Sequence, residues 1–412
     1  MAYPYVSDRE VRLLSTYFGD PKQRHIETYV KRGGYSALEK ALGMGPDDVV
    51  EIGKSAGLRG RGGAGFPTGV KWSFMPKEKK KAHYLLCNAD ESEPGTFKDR
   101  YIMERDPHNL LEGIIIAAYA IDSHKAYVYL RGEYFRSADR LQRAIDEASS
   151  QGWLGENIQG TGFDLDVVIH RGAGAYICGE ESAMLESLEG KRGEPRHKPP
   201  FPAEIGLFGR PTLIHNVETL YWVPKILTKG AAWFARQGRR GRHGLRLFSV
   251  SGRVKEPGVK LAPAGVSALE LIEEYAGGMQ PGHQFKAYLP GGASGGILPA
   301  RLANIALDFG TLDEYGCIVG SAAVVILSDH DAISDVVLNL MRFFEDESCG
   351  QCTPCRVGCE KAVKLMERPE WDEALLRELS VAMADASICG LGQAAPNPLL
   401  RAFEFFREEL PI

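Results

Sequence analysis

Three cysteines near the end of the chain have the spacing of a soft-metal site. Cys349, Cys352 and Cys355 follow a C-x2-C-x2-C pattern. Closely spaced thiolates bind soft metals, and this tight spacing lets one loop wrap a corner of an iron–sulfur cube. Zinc is the alternative, but its usual pattern of two separated C-x2-C pairs is absent. The pattern favours a 4Fe–4S cluster, whose fourth thiolate must come from Cys359 or Cys389.

The choice between these two cysteines rests on the residues around them. With Cys359 the run reads C-x2-C-x2-C-x3-C, as in ferredoxins, where the fourth cysteine ligates a second cluster and precedes a proline. Here Glu360 follows Cys359, and one short loop has difficulty reaching all four corners of a cube. Cys389 precedes Gly390, and a second glycine lies two residues further on, so the backbone can approach closely. We assign Cys389 as the ligand and Cys359 as a nearby thiol.

A glycine-rich segment at residues 57–72 has the composition of a phosphate site. Its literal G-x-G-x-x-G falls at Gly60, Gly62 and Gly65. A helix-like stretch precedes the segment and no suitable acidic residue follows about 20 positions on, so it is not an ordinary Rossmann turn. Bare backbone N–H groups together with Arg59, Arg61 and Lys71 nevertheless favour an anion over a flexible hinge. Phe66, Trp72 and Phe74 offer planar surfaces to a ring.

Two turns rich in acidic residues follow predicted strands. Asp90, Glu91 and Glu93 come after the first strand, and Glu180 and Glu181 come after a glycine-rich turn that follows the third. A single acidic turn could simply be solvated surface. Two such turns at the carboxyl ends of strands, where α/β proteins bind ligands, indicate a site.

The elements that position these residues alternate between strand and helix. Strands are predicted at His83–Asn88, Ala126–Arg131 and Leu165–His170, and helices at His108–Ile121, Ser137–Ser150 and Gly179–Glu189. This alternation predicts an α/β core with a mainly parallel sheet. The segment 191–211 carries five prolines and is predicted to be a long loop over the site.

The rest of the chain is predicted to form a loop, a small α+β module and a helical bundle. The basic run at 236–245 is interpreted as a solvated inter-domain loop. Short strands (Arg246–Ser251, Phe285–Leu289 and Ala322–Leu327) around a helix (Ser267–Ala276) then predict a small α+β module. Beyond Asp329, helical periodicity at 332–347, 359–367, 371–385 and 398–409 predicts a helical bundle.

Composition excludes several classes of protein. The 412 residues carry a net charge of −5, which argues against a nucleic-acid binder. No apolar run approaches the roughly 18 residues of a membrane span, and the first ten residues lack the features of a secretory signal. We therefore expect a cytosolic protein without membrane insertion. The isolated cysteines are predicted to be small core residues; they are Cys87, Cys178 and Cys317.

Four segments together resemble one family. Gly60–Trp72, Asn88–Arg100, Gly172–Gly190 and Glu347–Gly358 are similar to the flavin-bearing, NADH-oxidising subunit of respiratory complex I. The diaphorase subunits of NAD-dependent formate dehydrogenases and bidirectional hydrogenases share this resemblance. It implies a Rossmann-like FMN and NADH domain (1–240), a β-grasp, ubiquitin-like domain (241–329) and a C-terminal four-helix bundle (330–412). The family also takes its fourth cluster thiolate from the position of Cys389.

The resemblance implies roles for individual residues. The FMN phosphate region would be contacted by the glycine-rich loop, which comprises Gly60, Arg61, Gly62, Gly63, Ala64 and Gly65. The NADH site would be lined by Phe66, Lys71, Phe74, Lys198 and Phe201. The flavin ring and ribityl chain would be surrounded by Asn88, Asp90, Glu91, Glu93, Tyr176, Gly179, Glu180 and Glu181, with Asn216 and Thr219 completing the FMN site. Glu93 and Glu181 are the expected catalytic residues.

The resemblance implies that the chain takes electrons from NADH and passes them to an iron–sulfur cluster. NADH releases two electrons together as hydride, whereas an iron–sulfur cluster accepts one at a time, and a flavin can exchange electrons in both ways. The expected parent is NADH:quinone oxidoreductase, with a thioredoxin-like 2Fe–2S subunit and a larger iron–sulfur subunit as partners, at the inner face of the membrane. A formate dehydrogenase or hydrogenase diaphorase is the alternative. A module without NADH activity is disfavoured because every matched flavin position is intact.

Overall fold

A computed structural model describes residues 17–78 and 81–412. The ten residues considered for a secretory signal, and the start of the 1–240 region, lie outside the described residues. The α-helices before the first described strand are α1 (Ile26–Lys31), α2 (Ser36–Leu42), α3 (Pro46–Ser55) and α4 (Thr68–Ser73). The glycine-rich segment therefore lies between two helices, as its sequence context indicated.

A parallel sheet follows these helices. Its elements in chain order are β1 (His83–Ala89), α5 (Lys98–Arg105), α6 (Pro107–Ala120), β2 (Ser123–Leu130), α7 (Phe135–Ser150), β3 (Asp166–Arg171), α8 (Glu181–Leu188), β4 (Thr212–Asn216), α9 (Val217–Lys229) and α10 (Ala231–Ala235). The strand order is β3-β2-β1-β4, and every neighbouring pair is parallel. The chain leaves β1 toward β2 on one side and later returns to β4 on the other. The crevice between the carboxyl ends of β1 and β4 is thus a topological switch point, where open α/β sheets bind ligands.

Both faces of this sheet are buried. Leu85 and Cys87 of β1 join the apolar core formed with α6 and α9. Leu86, between them, points to the opposite face and joins Tyr129 and Met184 in a core shared with the C-terminal helices. Because successive strand residues face opposite sides, the continuous apolar run of β1 covers both faces, as expected of a parallel sheet.

A second sheet is mixed in direction. Its elements are β5 (Leu245–Gly252), β6 (Gly258–Pro263), α11 (Ala268–Glu270), β7 (Phe285–Leu289), β8 (Leu298–Pro299) and β9 (Ala323–Ser328), and α11 continues into a π-helical turn, Leu271–Tyr275. The strand order is β6-β5-β9-β7-β8, with only β5 and β9 parallel. Leu271 and Tyr275 are buried against Phe248 and Val250 of β5. A single helix packed on a five-stranded sheet fits the expected β-grasp arrangement.

The C-terminal region is helical. It contains α12 (Ile333–Glu347), α13 (Thr353–Met366), α14 (Glu373–Ala386), α15 (Gly390–Ala394) and α16 (Asn397–Phe405). The predicted helix at 359–367 begins six residues earlier, because Cys352 caps it and Pro354 occupies its first turn, where proline is favoured. Cys355 therefore lies on a helix and not in the loop. In residues 17–78 and 81–412, no helix is both long and apolar enough to cross a membrane.

The fold class predicted from the sequence is confirmed. The prediction missed β4, α5, β6 and α15, and its basic loop at 236–245 is more tightly held than expected: Arg240 pairs with Glu270 at 2.8 Å. The division at 240/241 and 329/330 stays a prediction. Leu247 of β5 and Leu261 of β6 belong to the same core as α6 and α9, so the two sheets share apolar contacts.

The contact between α6 and α9 depends on Gly113. A Cβ at this position would lie 2.1 Å from the carbonyl oxygen of Leu220. We expect Gly113→Ala to force the helices apart and to lower the free energy of unfolding by about 1–3 kcal/mol, measured by urea denaturation. Gly43→Ala, where the nearest atom is 3.6 Å away, is the control. Equal stability of the two variants would contradict this account of the packing.

Candidate active site

A cavity of about 1140 Å³ opens at the carboxyl ends of β1 and β4. Its wall includes every residue to which the family resemblance assigns a role in binding FMN or NADH, from Gly60 to Thr219. Asn88 and Asn216, at the ends of the two strands, are register partners. Segments more than 150 residues apart in the sequence therefore meet around one space, at the location that the sheet topology favours.

The glycine-rich loop forms one wall and packs on the start of α9. The loop is closed by a bridge between Arg59 and Pro67 and by a hydrogen bond from the Gly60 N–H to the Phe66 carbonyl. The Arg61 N–H donates to Thr219 Oγ1 at 2.9 Å. Gly65 has φ +65°, and a Cβ there would lie 2.4 Å from the Phe309 ring. The loop thus holds backbone N–H groups next to a helix N-terminus, an arrangement that binds phosphate.

The arginines of this loop do not present their charge to the cavity as we expected. Arg59 donates to the Gly65 carbonyl and stacks over the Phe309 ring at 4.6 Å. The Arg61 guanidinium is buried and donates to the Leu245 carbonyl. Both guanidinium groups donate to backbone carbonyls, although Arg61 still borders the cavity, and Lys71, Lys98 and Lys198 add further positive charge to the wall.

The aromatic residues divide into two groups. Phe66, Phe74 and Phe201 line the cavity and are 44–56% exposed, and the rings of Phe66 and Phe74 are 5.8 Å apart. These rings are available to stack on a planar ligand. Trp72 is not: it is buried in the core and donates from Nε1 to His215 Nε2 at 2.7 Å. The expectation that Trp72 offers a stacking surface is wrong.

The acidic turn after β1 is not solvated surface. Both oxygens of Glu91 accept N–H groups from the first turn of α5, those of Asp99 and Arg100. Asp90 accepts from the Ser92 hydroxyl through Oδ1, while its buried Oδ2 has no hydrogen-bond partner in the described chain. Burial raises the pKa of Asp90 to about 7. An unpaired buried oxygen on a cavity wall fits a ligand that carries hydroxyl groups.

Glu93 joins two parts of the wall. Its Oε2 accepts from the Tyr176 hydroxyl at 2.6 Å, and its Oε1 accepts from the backbone N–H and the hydroxyl of Ser294, both at 2.8 Å. Burial raises the pKa of Glu93 although these donors favour its charged form. The carboxylate position is therefore fixed before any ligand binds.

Two lysines and two glutamates form a charged cluster on the same wall. Lys198 lies 2.8 Å from both Glu180 and Glu181, and Lys71 lies 3.1 Å from Glu181. Burial works against ionisation of Glu181, but the two ammonium groups hold its pKa below the usual value. Glu180 also caps α8 through the N–H groups of Ser182 and Ala183, which anchors the cluster to that helix.

The sequence analysis missed a further part of the wall. It comes from the second sheet and from the C-terminal helices, and it includes Ser294, Ile318, Gly320, Ser321, Gly390, Leu391, Gln393, Ala394 and Asn397. Glycines cluster at 291–296, and this was the available signal. His215 was also missed; its burial and the nearby Lys71 hold its pKa far below the usual value, so the ring is neutral.

The four proposed cluster ligands lie on two segments, at the starts of α13 and α15. Cys349 and Cys352 precede α13, Cys355 lies in its first turn, and Cys389 caps α15. Gly392 leaves room beside Cys355, since a Cβ there would lie 2.7 Å from the Cys355 Cβ. Among the described residues, no three cysteine, histidine or acidic side chains converge tightly enough for a single metal ion. Thiols are the ligands that a 4Fe–4S group requires, and the assignment of these four cysteines stays a prediction.

Cys359 lies one helical turn beyond Cys355. It is fully buried and its sulfur is 3.8 Å from that of Met383. The isolated cysteines Cys87, Cys178 and Cys317 are buried, as predicted for core residues.

Family comparisons agree with these two regions. Residues 54–225 match the family described as the Nuo51 FMN-binding domain. Residues 335–411 match the NADH-ubiquinone oxidoreductase-F iron-sulfur binding region. The first range contains most of the cavity wall and the second contains the four cysteines. Fold and site thus define an NADH oxidoreductase that carries FMN and a 4Fe–4S cluster.

Comparison with whole chains narrows this class. The chain is 50% identical over 396 residues to an F subunit of NADH-quinone oxidoreductase from Rhizobium meliloti (strain 1021), covering 94% of each chain. It is 46% identical over 410 residues to the corresponding F subunit of Escherichia coli (strain K12), covering 97% of this chain and 92% of the relative. An NAD+-reducing NiFe hydrogenase in the H2-reduced state matches with a TM-score of 0.85 and 37% identity, covering 100% of this chain and 68% of that chain. The chain belongs to the family of NADH-quinone oxidoreductase F subunits and is an NADH-oxidising flavoprotein of a multisubunit complex.

The raised pKa of Asp90 predicts a pH dependence of stability. An ordinary aspartate titrates near 3.8, whereas Asp90 in the fold titrates near 7. The cost of ionising it is absent below about pH 4, grows between pH 4 and 7, and is complete above pH 7. In the FMN-free protein, we expect Asp90→Asn to reduce the fall in unfolding free energy over this range by up to about 4 kcal/mol.

Urea denaturation at several pH values measures this effect. The exposed aspartate Asp313 provides the control variant, Asp313→Asn, which should follow the parent profile. An Asp90→Asn profile parallel to that of the parent would show that the Asp90 carboxyl titrates normally.

Proposed function

We propose that the cavity holds FMN with its phosphate between the glycine-rich loop and the start of α9, and NADH beside the exposed phenylalanines. When bound, FMN accepts hydride from NADH and returns the electrons singly. The observation that carries this proposal is that α15 borders the cavity with Gly390 and Leu391 and carries Cys389 at its start. A ligand in the cavity and a cluster on the cysteines would then be separated by one turn of helix.

The residues of the wall have separable roles in this proposal. Backbone N–H groups at Gly60–Gly65 bind phosphate, and Asp90 Oδ2 accepts a ribityl hydroxyl. Phe66, Phe74 and Phe201 stack on the nucleotide. Glu93 and Glu181, the expected catalytic residues, set the local charge: Glu93 is held by Tyr176, and Glu181 is partly neutralised by two lysines. No side chain is required as a nucleophile or general base.

We further propose NADH:quinone oxidoreductase as the parent complex, with a thioredoxin-like 2Fe–2S subunit and a larger iron–sulfur subunit as neighbours. These partners would hold the chain at the inner face of the membrane. The support is the identity of 46–50% to quinone oxidoreductase subunits, against 37% to the hydrogenase chain. The alternative is a diaphorase subunit of a formate dehydrogenase or hydrogenase. Purifying the native complex and assaying quinone reduction against hydrogen or formate oxidation separates the two.

Glu93→Gln tests the role of the fixed carboxylate. The amide keeps the size of the side chain, so FMN should remain bound. Loss of one charge in a partly buried site is worth about 1 kcal/mol or more, and we expect kcat/KM for NADH to fall about fivefold to tenfold. Steady-state NADH oxidation with ferricyanide gives the kinetics, and the flavin absorbance gives the FMN content.

Glu256→Gln, an exposed glutamate on the second sheet, is the control for Glu93→Gln. Kinetics of Glu93→Gln that match the parent at every pH would remove Glu93 from the site.

Separate serine substitutions test the cluster ligands. We expect Cys389→Ser to lose or alter the EPR signal of the reduced cluster, because Cys389 is the proposed fourth ligand. Cys359→Ser should keep the signal, because Cys359 is proposed to be a buried thiol next to the site and not a ligand. FMN-dependent ferricyanide reduction should survive in both variants. An unaltered signal in Cys389→Ser together with its loss in Cys359→Ser would reverse the assignment.

A further inference from the structure

Two serine hydroxyls lie beside Cys355, one of the proposed cluster ligands. The first belongs to Ser348, whose Oγ is 3.3 Å from the Cys355 sulfur. Ser348 Oγ also accepts the N–H of Gly350 at 3.4 Å. Its own proton is therefore free to point at the sulfur.

The second hydroxyl belongs to Ser387, at the end of α14. The residue is 5% exposed, and its Oγ has no hydrogen-bond partner among the described residues. Its backbone is fixed, since the N–H donates to Met383 and the carbonyl accepts from Gln393 Nε2. The hydroxyl is thus the unsatisfied part of an otherwise fixed residue.

Gly392 brings this hydroxyl toward the cysteines. A Cβ on Gly392 would lie 2.4 Å from Ser387 Oγ and 2.7 Å from the Cys355 Cβ. Since both atoms lie this close to one point, they are no more than about 5 Å apart, the sum of the two distances. Any side chain at position 392 would occupy the space between them.

The chemistry of a ligand sulfur decides the direction of these contacts. A cysteine that binds iron has lost its proton, so its sulfur can only accept a hydrogen bond. Ser348 must then be the donor to Cys355, and Ser387 is a buried donor beside the same residue. The Ser348 contact is then charge-assisted, because the acceptor is anionic, and a hydrogen bond from Ser387 to any sulfur of the cluster site would be charge-assisted for the same reason.

We propose that Ser348 and Ser387 donate hydrogen bonds to the sulfur atoms of the 4Fe–4S site and raise its reduction potential. One-electron reduction adds one negative charge to the cluster and its thiolates, and donors to sulfur favour the more negative state. The two serines are positioning residues that make the site a better electron acceptor for the adjacent cavity. This inference rests on the proposed ligand set and goes beyond it.

Potentiometric titration of the reconstituted full chain, followed by EPR, tests the proposal. Ser348→Ala and Ser387→Ala should each shift the midpoint potential to a more negative value, with iron and FMN contents unchanged. Ser380→Ala is the matched control, because Ser380 is a buried serine of the same helix whose hydroxyl donates to the Leu376 carbonyl at 2.7 Å. Parent-like potentials in both test variants, with intact clusters, would overturn the proposal.

A second pair of variants covers the case in which Ser387→Ala assembles no cluster. Ser387→Thr and Ser387→Val have nearly the same shape and differ in the hydroxyl, so the valine variant should have the more negative potential. Equal potentials would overturn the role of Ser387. If neither variant assembles a cluster, the parent protein can be exchanged into D2O and its deuteron hyperfine coupling measured. This coupling should reveal an exchangeable hydrogen near the cluster sulfurs, and Ser348→Ala should weaken it. Identical spectra of the parent and of Ser348→Ala would overturn the proposal.

These outcomes are separate from those for the ligand set. An error in the ligands appears as an unchanged cluster in Cys389→Ser. An error in the serine proposal appears as an unchanged potential in a protein whose ligands and iron content are intact.

Discussion

The fully buried ammonium group of Lys98 constrains the arrangement of the parts that surround the cavity. It lies 2.8 Å from Asp99 and 3.0 Å from Glu218, and all three side chains are almost without exposure. Glu218 also accepts the N–H of Leu247 in the second sheet, and Asp99 accepts from Asn216 at the end of β4. An unpaired buried charge costs several kcal/mol, so these elements must assemble together for any of them to be stable.

This ion cluster borders the same cavity as the glycine-rich loop. Lys98, Asp99, Asn216 and Arg61 all line the cavity, and the electrostatic attraction of Lys98 and Arg61 helps to lower the pKa of Glu218 despite its burial. The same contacts that join the two sheets therefore also place positive charge near the glycine-rich loop. The same residues therefore stabilise the fold and line the cavity. This double role explains why so many ionisable groups are buried on one side of the cavity.

The opposite side of the cavity connects it to the cysteines. Tyr176 donates to Glu93 and its backbone N–H donates to Glu347 at the end of α12. Ser294 of the second sheet donates to the same Glu93 and accepts from Asn397 of α16. Hydrogen bonds between all three parts of the chain thus hold the cavity next to the C-terminal helices.

The sequence alone determined the chemistry and most of the elements, because these depend on local residue type and spacing. The cysteine pattern, the glycine-rich loop and the strand–helix alternation are local, and the long helices α6, α7 and α12 begin and end near their predicted bounds. The missed elements have weak local signals: α5 is mostly charged, and β4 and α15 have only five residues each. The directions of Arg61 and Trp72 and the contributions of Ser294, Ser387 and α15 arise between segments distant in sequence. Only the tertiary structure could decide these, because hydrogen bonding and burial depend on which residues are in contact in space. The same sequence pattern is compatible with many different sets of such contacts.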